Sequence, residues 1–201
     1  MIKVVAFNGS PRPEGNTRLL IGQVLQELEK EGIITELVQI GGKKTRGCTA
    51  CMKCFENQNK RCIFDDDIVN DCIGKMAEAD GIILGSPVYF TDVTAEMKAL
   101  IDRAGFVSMA NGGLFRHKVG SAAVAVRRAG AVHTLDSLLH FLLISGMVVP
   151  GFPPIAVGRN IGDVMNDEEG IAWARDTGKN MAWLLKLMKK SEVSGKKSKI
   201  H

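Results

Sequence analysis

Residues 2–28, IKVVAFNGSPRPEGNTRLLIGQVLQEL, decide how the chain is built. Ile2–Phe7 is a short run rich in apolar, strand-forming residues. Asn8–Thr17 then collects Gly, Pro, Asn and Ser, and Leu19, Leu20, Val24, Leu25 and Leu28 recur at helical spacing. The reading is strand, loop, helix. Gly32 stops the helix and Ile33–Ile40 reads as a second strand, which makes a βαβ unit with a parallel pair and a right-handed crossover.

The alternation recurs downstream. Gly81–Gly85 suits a strand buried on both faces, Thr94–Phe106 a helix, Val119–Val126 a strand and Leu135–Ile144 a helix. Met147–Val157 holds a last, proline-marked strand, and Asp167–Met188 forms the closing amphipathic helix. A further helix is bounded by Asp66 and Ala79. Five strands alternating with five helices give an α/β doubly wound, three-layer sandwich. At this length the expected sheet is the flavodoxin-like five-stranded parallel one of order 2-1-3-4-5, with ligands at the strand C-termini. One domain is expected over 1–188. It carries an insertion at 41–65, too long for an ordinary link and home to four of the five cysteines, and a basic, disordered tail follows at 189–201.

Composition narrows the function classes. With 45% hydrophobic and 24% charged residues the 201-residue chain can bury a sizeable core, which excludes global disorder. The net charge of +4 sits in the tail, where Lys189, Lys190, Lys196, Lys197 and Lys199 face only Glu192, and the body is neutral. Neither a nucleic-acid nor a membrane partner is therefore expected. The N-terminus has no secretory or transit pattern, and the apolar stretch Leu135–Val149 is broken by Asp136, His140 and Gly146. The expectation is a cytoplasmic protein, where crowded cysteines read as metal or redox chemistry.

The first chemical motif is Asn8-Gly9-Ser10-Pro11-Arg12-Pro13-Glu14-Gly15-Asn16-Thr17. The Ser10 and Thr17 hydroxyls, the Asn16 amide, the Arg12 guanidinium and backbone N–H groups around Gly15 are all donors, as a dianion requires. The plain alternative is a turn with Asn16 or Thr17 capping the helix. Asn16 stands where a P-loop needs lysine, and G-x-G-x-x-G is absent, so a terminal monophosphate such as that of FMN fits better than a triphosphate or dinucleotide. The second motif, Gly85-Ser86-Pro87-Val88-Tyr89-Phe90-Thr91, follows the third strand at the switch point. Pro87 and Val88 offer a turn, and Tyr89 and Phe90 a flat apolar wall for a flavin ring; the alternative is that both aromatics fill the core.

On these residues the chain resembles the flavodoxin-like NAD(P)H-dependent FMN reductases, over nearly its whole length to about residue 188. Val126-Arg127-Arg128-Ala129-Gly130-Ala131 is similar to that family's third flavin-contacting loop, with Arg128 and Gly130 as the positions of interest. The resemblance implies that the first loop binds phosphate and the other two flank the ring.

Cys48-x2-Cys51-x2-Cys54-x7-Cys62 supplies enough thiolates for one tetrahedral metal or one cubane. The spacing resembles the iron–sulfur flavoproteins, a branch of the same fold, and implies a 4Fe-4S cluster beside FMN. Zinc, or redox-active thiols with no metal, remain open. Cys72 reads as a buried small hydrophobe, and Asp65–Asp67 as an acidic run capping the next helix.

The resemblance implies an FMN-dependent oxidoreductase in which electrons pass between FMN, the cluster and a small-molecule or ferredoxin-like redox partner, in a homodimer or homotetramer. The alternatives are an NAD(P)H-dependent FMN or quinone reductase without a cluster, and a non-enzymatic flavodoxin-like binding or signalling module. A phospho-acceptor receiver is disfavoured by Phe7-Asn8-Gly9 and Gly85-Ser86-Pro87 standing where it needs acidic residues.

Overall fold

In the computed structural model, which describes the backbone of residues 1–197 and the side chains of 1–191, strands and helices alternate as the sequence predicts. The elements are β1 (Lys3–Asn8), α1 (Asn16–Lys30), β2 (Ile34–Gln39), α2 (Lys53–Asn57), α3 (Val69–Glu78), β3 (Gly81–Pro87) and α4 (Ala95–Ala110). They continue with β4 (Val119–Val126), α5 (Ala131–Ile144), β5 (Ile155–Val157), a 3-10 turn at Asp163–Asn166 and α6 (Glu168–Lys197). The five strands form one sheet of order β2-β1-β3-β4-β5, parallel at every junction.

Central strands covered on both faces need continuous apolar runs, and all eight residues of β4 are buried. Side chains alternate across the sheet. Val5 and Phe7 face a core shared with α3, α4 and α5, while Val4 and Ala6 face α1 and α6. Gly85 lets α1 approach the C-terminal end of β3: a Cβ there would overlap Ile21 and lie 3.1 Å from Thr17 Cγ2. The N-terminus of α1 is thereby seated beside the loops that follow β1 and β3.

Three expectations change. The last strand is split. Val148 makes a single bridge to Val119 and only Ile155–Val157 pair with β4, because Pro150, Pro153 and Pro154 between them have no N–H for a ladder. A sixth helix, α2, lies inside the 41–65 connection. The tail expected from 189 is helical as far as Lys197, so the expected boundary at 188 falls inside α6, and residues 198–201 lie outside the described residues. No helix among the described residues is long and apolar enough to cross a membrane.

Candidate functional site

The loop after β1 is clamped to its neighbours by backbone and side-chain hydrogen bonds. Gly9 N donates to Gly85 O at 2.7 Å, Thr94 Oγ1 donates to Gly9 O at 2.9 Å, and Thr94 N donates to Ser86 Oγ at 3.1 Å. Within the loop, Ser10 N donates to Asn8 Oδ1, Arg12 N to Ser10 Oγ and Gly15 N to Arg12 O. On the β2 side, Gln39 Nε2 donates to Ser10 O at 2.6 Å and to Gly41 O at 2.7 Å, while its Oε1 accepts from Asn8 Nδ2. A Cβ on Gly41 would collide with the Ser10 carbonyl, so only glycine lets the connection after β2 start in contact with this loop.

Gly15 is the N-cap of α1 and provides no side-chain cap; no acidic residue occupies the first turn, and Glu14 turns outward to Arg18 at 3.1 Å. The alternative of Asn16 or Thr17 as cap is thus excluded, and the helix end keeps its positive pole. Thr17 Oγ1 is buried and is the one buried side-chain N or O without a hydrogen-bond partner among the described residues. An orphaned buried hydroxyl costs about 1–3 kcal/mol. Beside an uncapped helix N-terminus, a bound anion would satisfy it. Asn16, expected to donate to the same anion, is instead committed elsewhere: its Nδ2 donates to Asn160 O and its Oδ1 accepts from Gly162 N, each at 2.8 Å. Arg12 is exposed on this loop and Ser10 is buried within it.

After β3, Tyr89 and Asp92 exchange backbone hydrogen bonds at 2.8 and 3.0 Å around a two-residue turn. Both turn residues have positive φ, +44° at Phe90 and +68° at Thr91. For a β-branched threonine this is an outlier, a strain of about 1–3 kcal/mol that neighbouring contacts must hold. Those contacts come from the loop after β4. Gly130, with φ +88°, packs so closely that a Cβ would lie 2.6 Å from Thr91 Cα, and Thr134 Oγ1 lies 3.3 Å from Thr91 O while its nearer acceptor is Gly130 O at 2.9 Å. Val88 N donates to Ala125 O, and Pro87 and Val88 are half-buried. The strained turn carries Phe90 fully into solvent and leaves Tyr89 47% exposed, so neither aromatic fills the core. Arg127 and Arg128 are exposed on the adjoining loop, and Gly130 is the N-cap of α5, which has no side-chain cap and no acidic first turn.

Cys48, Cys51, Cys54 and Cys62 all line one small cavity of about 20 Å³, together with Phe64, Arg103 and Phe106. Positive φ at Ala50 (+52°) and Met52 (+58°) winds the backbone around it. Burial pushes the Cys54 thiol up, with Cys62 and Cys48 adding to the shift. A single tetrahedral ion holds sulfurs at about 2.3 Å, yet no three His, Cys, Asp or Glu side chains among the described residues are grouped to hold one metal ion. The four cysteines thus share the lining of one cavity without being gathered at a single point. Four thiols on one lining are a donor set that either a tetrahedral ion or a cubane could take. Cys72 is buried as expected, its thiol pushed up to about 12 chiefly by burial.

The sequence missed Arg103. This α4 side chain is fully buried, pairs with Asp67 and donates from Nε to Cys62 Sγ at 3.3 Å. Burial opposes its charge, but Asp67 and Cys62 outweigh burial and raise its pKa. Its signal was a cation among Leu100, Ala104 and Val107, the buried stripe of α4. The acidic run does not supply the N-cap of α3, which is Ile68 with no side-chain cap; instead Asp67 accepts from Val69 N and from Arg103, while Asp66 pairs with Lys44 at 2.6 Å.

A family described as NADPH-dependent FMN reductase matches residues 2–160. An iron–sulfur flavoprotein of Methanocaldococcus jannaschii is 41% identical over 198 residues, covering 94% of this chain and 100% of that protein. One of Methanosarcina thermophila is 32% identical over 193 residues, covering 94% and 98%. Among solved structures, RosB with a bound 8-demethyl-8-formylriboflavin-5'-phosphate intermediate superimposes with a TM-score of 0.76 at 18% identity, over 99% of this chain and 87% of that one. That last likeness is one of fold.

Proposed function

The chain belongs to the NADPH-dependent FMN reductase family, and from that premise we propose that this flavin-dependent oxidoreductase is of the iron–sulfur flavoprotein type. FMN is held with its phosphate at the N-terminus of α1, and a 4Fe-4S cluster is held by Cys48, Cys51, Cys54 and Cys62. The orphaned Thr17 hydroxyl at an uncapped helix end carries the flavin half of the proposal. The four cysteines around one cavity carry the other half. Bound there, FMN supplies hydride and single-electron chemistry, and the cluster a one-electron relay.

In this reading Ser10 and Thr17 hold the phosphate, Gly15, whose N–H is spent on Arg12 O, shapes the turn, and Arg12 adds charge from the exposed side. Asn16 positions the loop rather than donating to the anion. Pro87, Val88, Tyr89 and Phe90 flank the ring, with Arg128 and Gly130 on the opposite loop. NAD(P)H is a co-substrate, and the redox partner is a small molecule or a ferredoxin-like protein. The protein acts in the cytoplasm as a homodimer or homotetramer. Exposed Met109, Leu143 and Ile144 beside a groove between α4 and α5 are apolar surface that self-association would cover.

Anaerobic purification followed by flavin, iron and sulfide analysis tests the proposal. One FMN with four irons and four sulfides per chain supports it. FMN with no iron and four freely titrating thiols leaves an NAD(P)H-dependent FMN or quinone reductase, and a colourless protein overturns both.

A further inference from the structure

We propose that Arg103 is a positioning residue for the four-cysteine site, whose buried guanidinium fixes the sulfur of Cys62 and favours electron uptake by a metal–sulfur group held there. The inference rests on the reading of these cysteines as cluster ligands. A charge with 0% side-chain exposure is costly unless its donors are used. Arg103 uses four of its five. Nε donates to Cys62 Sγ at 3.3 Å, Nη1 to Asp67 Oδ2 and to Arg46 O at 3.3 Å, and Nη2 to Phe64 O at 2.6 Å.

The acceptors have a pattern. Arg46 lies two residues before Cys48 and Phe64 two residues after Cys62, so one side chain from a rigid helix closes both ends of the segment that carries all four cysteines. Arg46 reinforces the closure by placing its guanidinium 3.9 Å from the centre of the Phe64 ring, and its N–H donates to Asp67. A hydrogen bond to a ligand sulfur stabilises the more negative, reduced state of a metal–sulfur group more than the oxidised state. Asp67 neutralises much of the cation at longer range, which leaves the local N–H on Cys62 as the main influence on the sulfur.

Three variants separate this role from a merely structural one. Arg103→Gln strands the buried Asp67 carboxylate and destabilises the fold. Arg103→Met combined with Asp67→Leu removes both charges and restores folding without restoring the hydrogen bond. Arg103→Lys keeps the charge without the guanidinium fork. In anaerobic potentiometric titrations of the iron-loaded proteins, the double variant is expected to disfavour the reduced state about tenfold, about 59 mV for one electron, with Arg103→Lys between it and wild type. In iron-free protein, amide exchange over residues 46–64 is expected to be faster in the double variant than in wild type. A stable, iron-loaded double variant with the wild-type potential overturns the inference while leaving the cluster reading intact. Wild-type protein that holds no iron fails the cluster reading and takes the redox claim with it. Unchanged exchange then overturns the positioning claim as well.

Discussion

Asn16 and Gly162, 146 residues apart, are joined by a 2.8 Å hydrogen bond from the Gly162 N–H to Asn16 Oδ1, and Asn16 Nδ2 donates to Asn160 O. The loop after β1 is therefore braced by the segment that follows β5, and Asn16 is the brace. Thr17, one residue later, is the side chain with bonding capacity to spare.

The two neighbours should separate in mutagenesis. Thr17→Val removes an unsatisfied hydroxyl, so folding stability should hold or rise slightly while FMN affinity falls about tenfold or more, the worth of one charge-assisted hydrogen bond. Asn16→Ala should instead lower stability by about 1–3 kcal/mol through two lost bonds. Equal FMN affinity in wild type and Thr17→Val, measured by fluorescence titration, would remove the phosphate assignment.

Gly130→Ala should be disruptive. The new Cβ meets Thr91 Cα at 2.6 Å, and φ of +88° disfavours any L side chain, adding about 1–2 kcal/mol of backbone strain. The strained Phe90-Thr91 turn should lose its support, so Tm and flavin retention should fall together. A variant with wild-type Tm would show that the two loops are not interlocked.

Cys54→Ala should abolish iron binding and the cluster's visible absorption while FMN stays bound, because Cys54 lines the cysteine cavity and not the loops after β1, β3 and β4. In iron-free native protein Cys51, which is exposed, should alkylate readily at pH 8. Cys72, with its thiol pushed up to about 12, should react only on unfolding. Mass spectrometry of the alkylated peptides reads both outcomes.

Glu36 sits between Lys75 and Lys3, whose hydrogen bonds hold its carboxyl below the ordinary value of 4.5. A depressed carboxylate pKa stabilises the fold above its unfolded value, and that stability is lost as pH falls through the folded value. Glu36→Gln should thus reduce stability at pH 7 and flatten the acid limb below about pH 4.5 in denaturant titrations. Parallel acid limbs in the two proteins would contradict the pairing.

Light scattering at micromolar concentration should report a dimer or tetramer. Ile144→Glu, placed beside the α4/α5 groove where Ile144 is 81% exposed, should shift it toward monomer. A wild-type monomer would overturn the proposed assembly.

The sheet order was legible because β1, β3 and β4 are short apolar runs separated by helical periodicity, the pattern that burial on both faces imposes. The loop after β1 was legible as a collection of donors, but not how each is used: the partners of Asn16 lie more than 140 residues away, and spacing carries no trace of them. The cysteine spacing pointed to one site, and the four do share a cavity. Arg103 was hidden because its partners come from a connection whose path the sequence does not specify. Gln39 was hidden likewise, since its clip on Ser10 and Gly41 depends on register with β1.

The prolines that split the last strand also deny this border of the sheet the amide donors that an incoming chain would need to pair with it. With only three residues of β5 in register, that side offers at most a very short edge for continuing the sheet from one copy into the next. A short edge of this kind favours joining through helices and loops, and it disfavours templated β-aggregation on that flank.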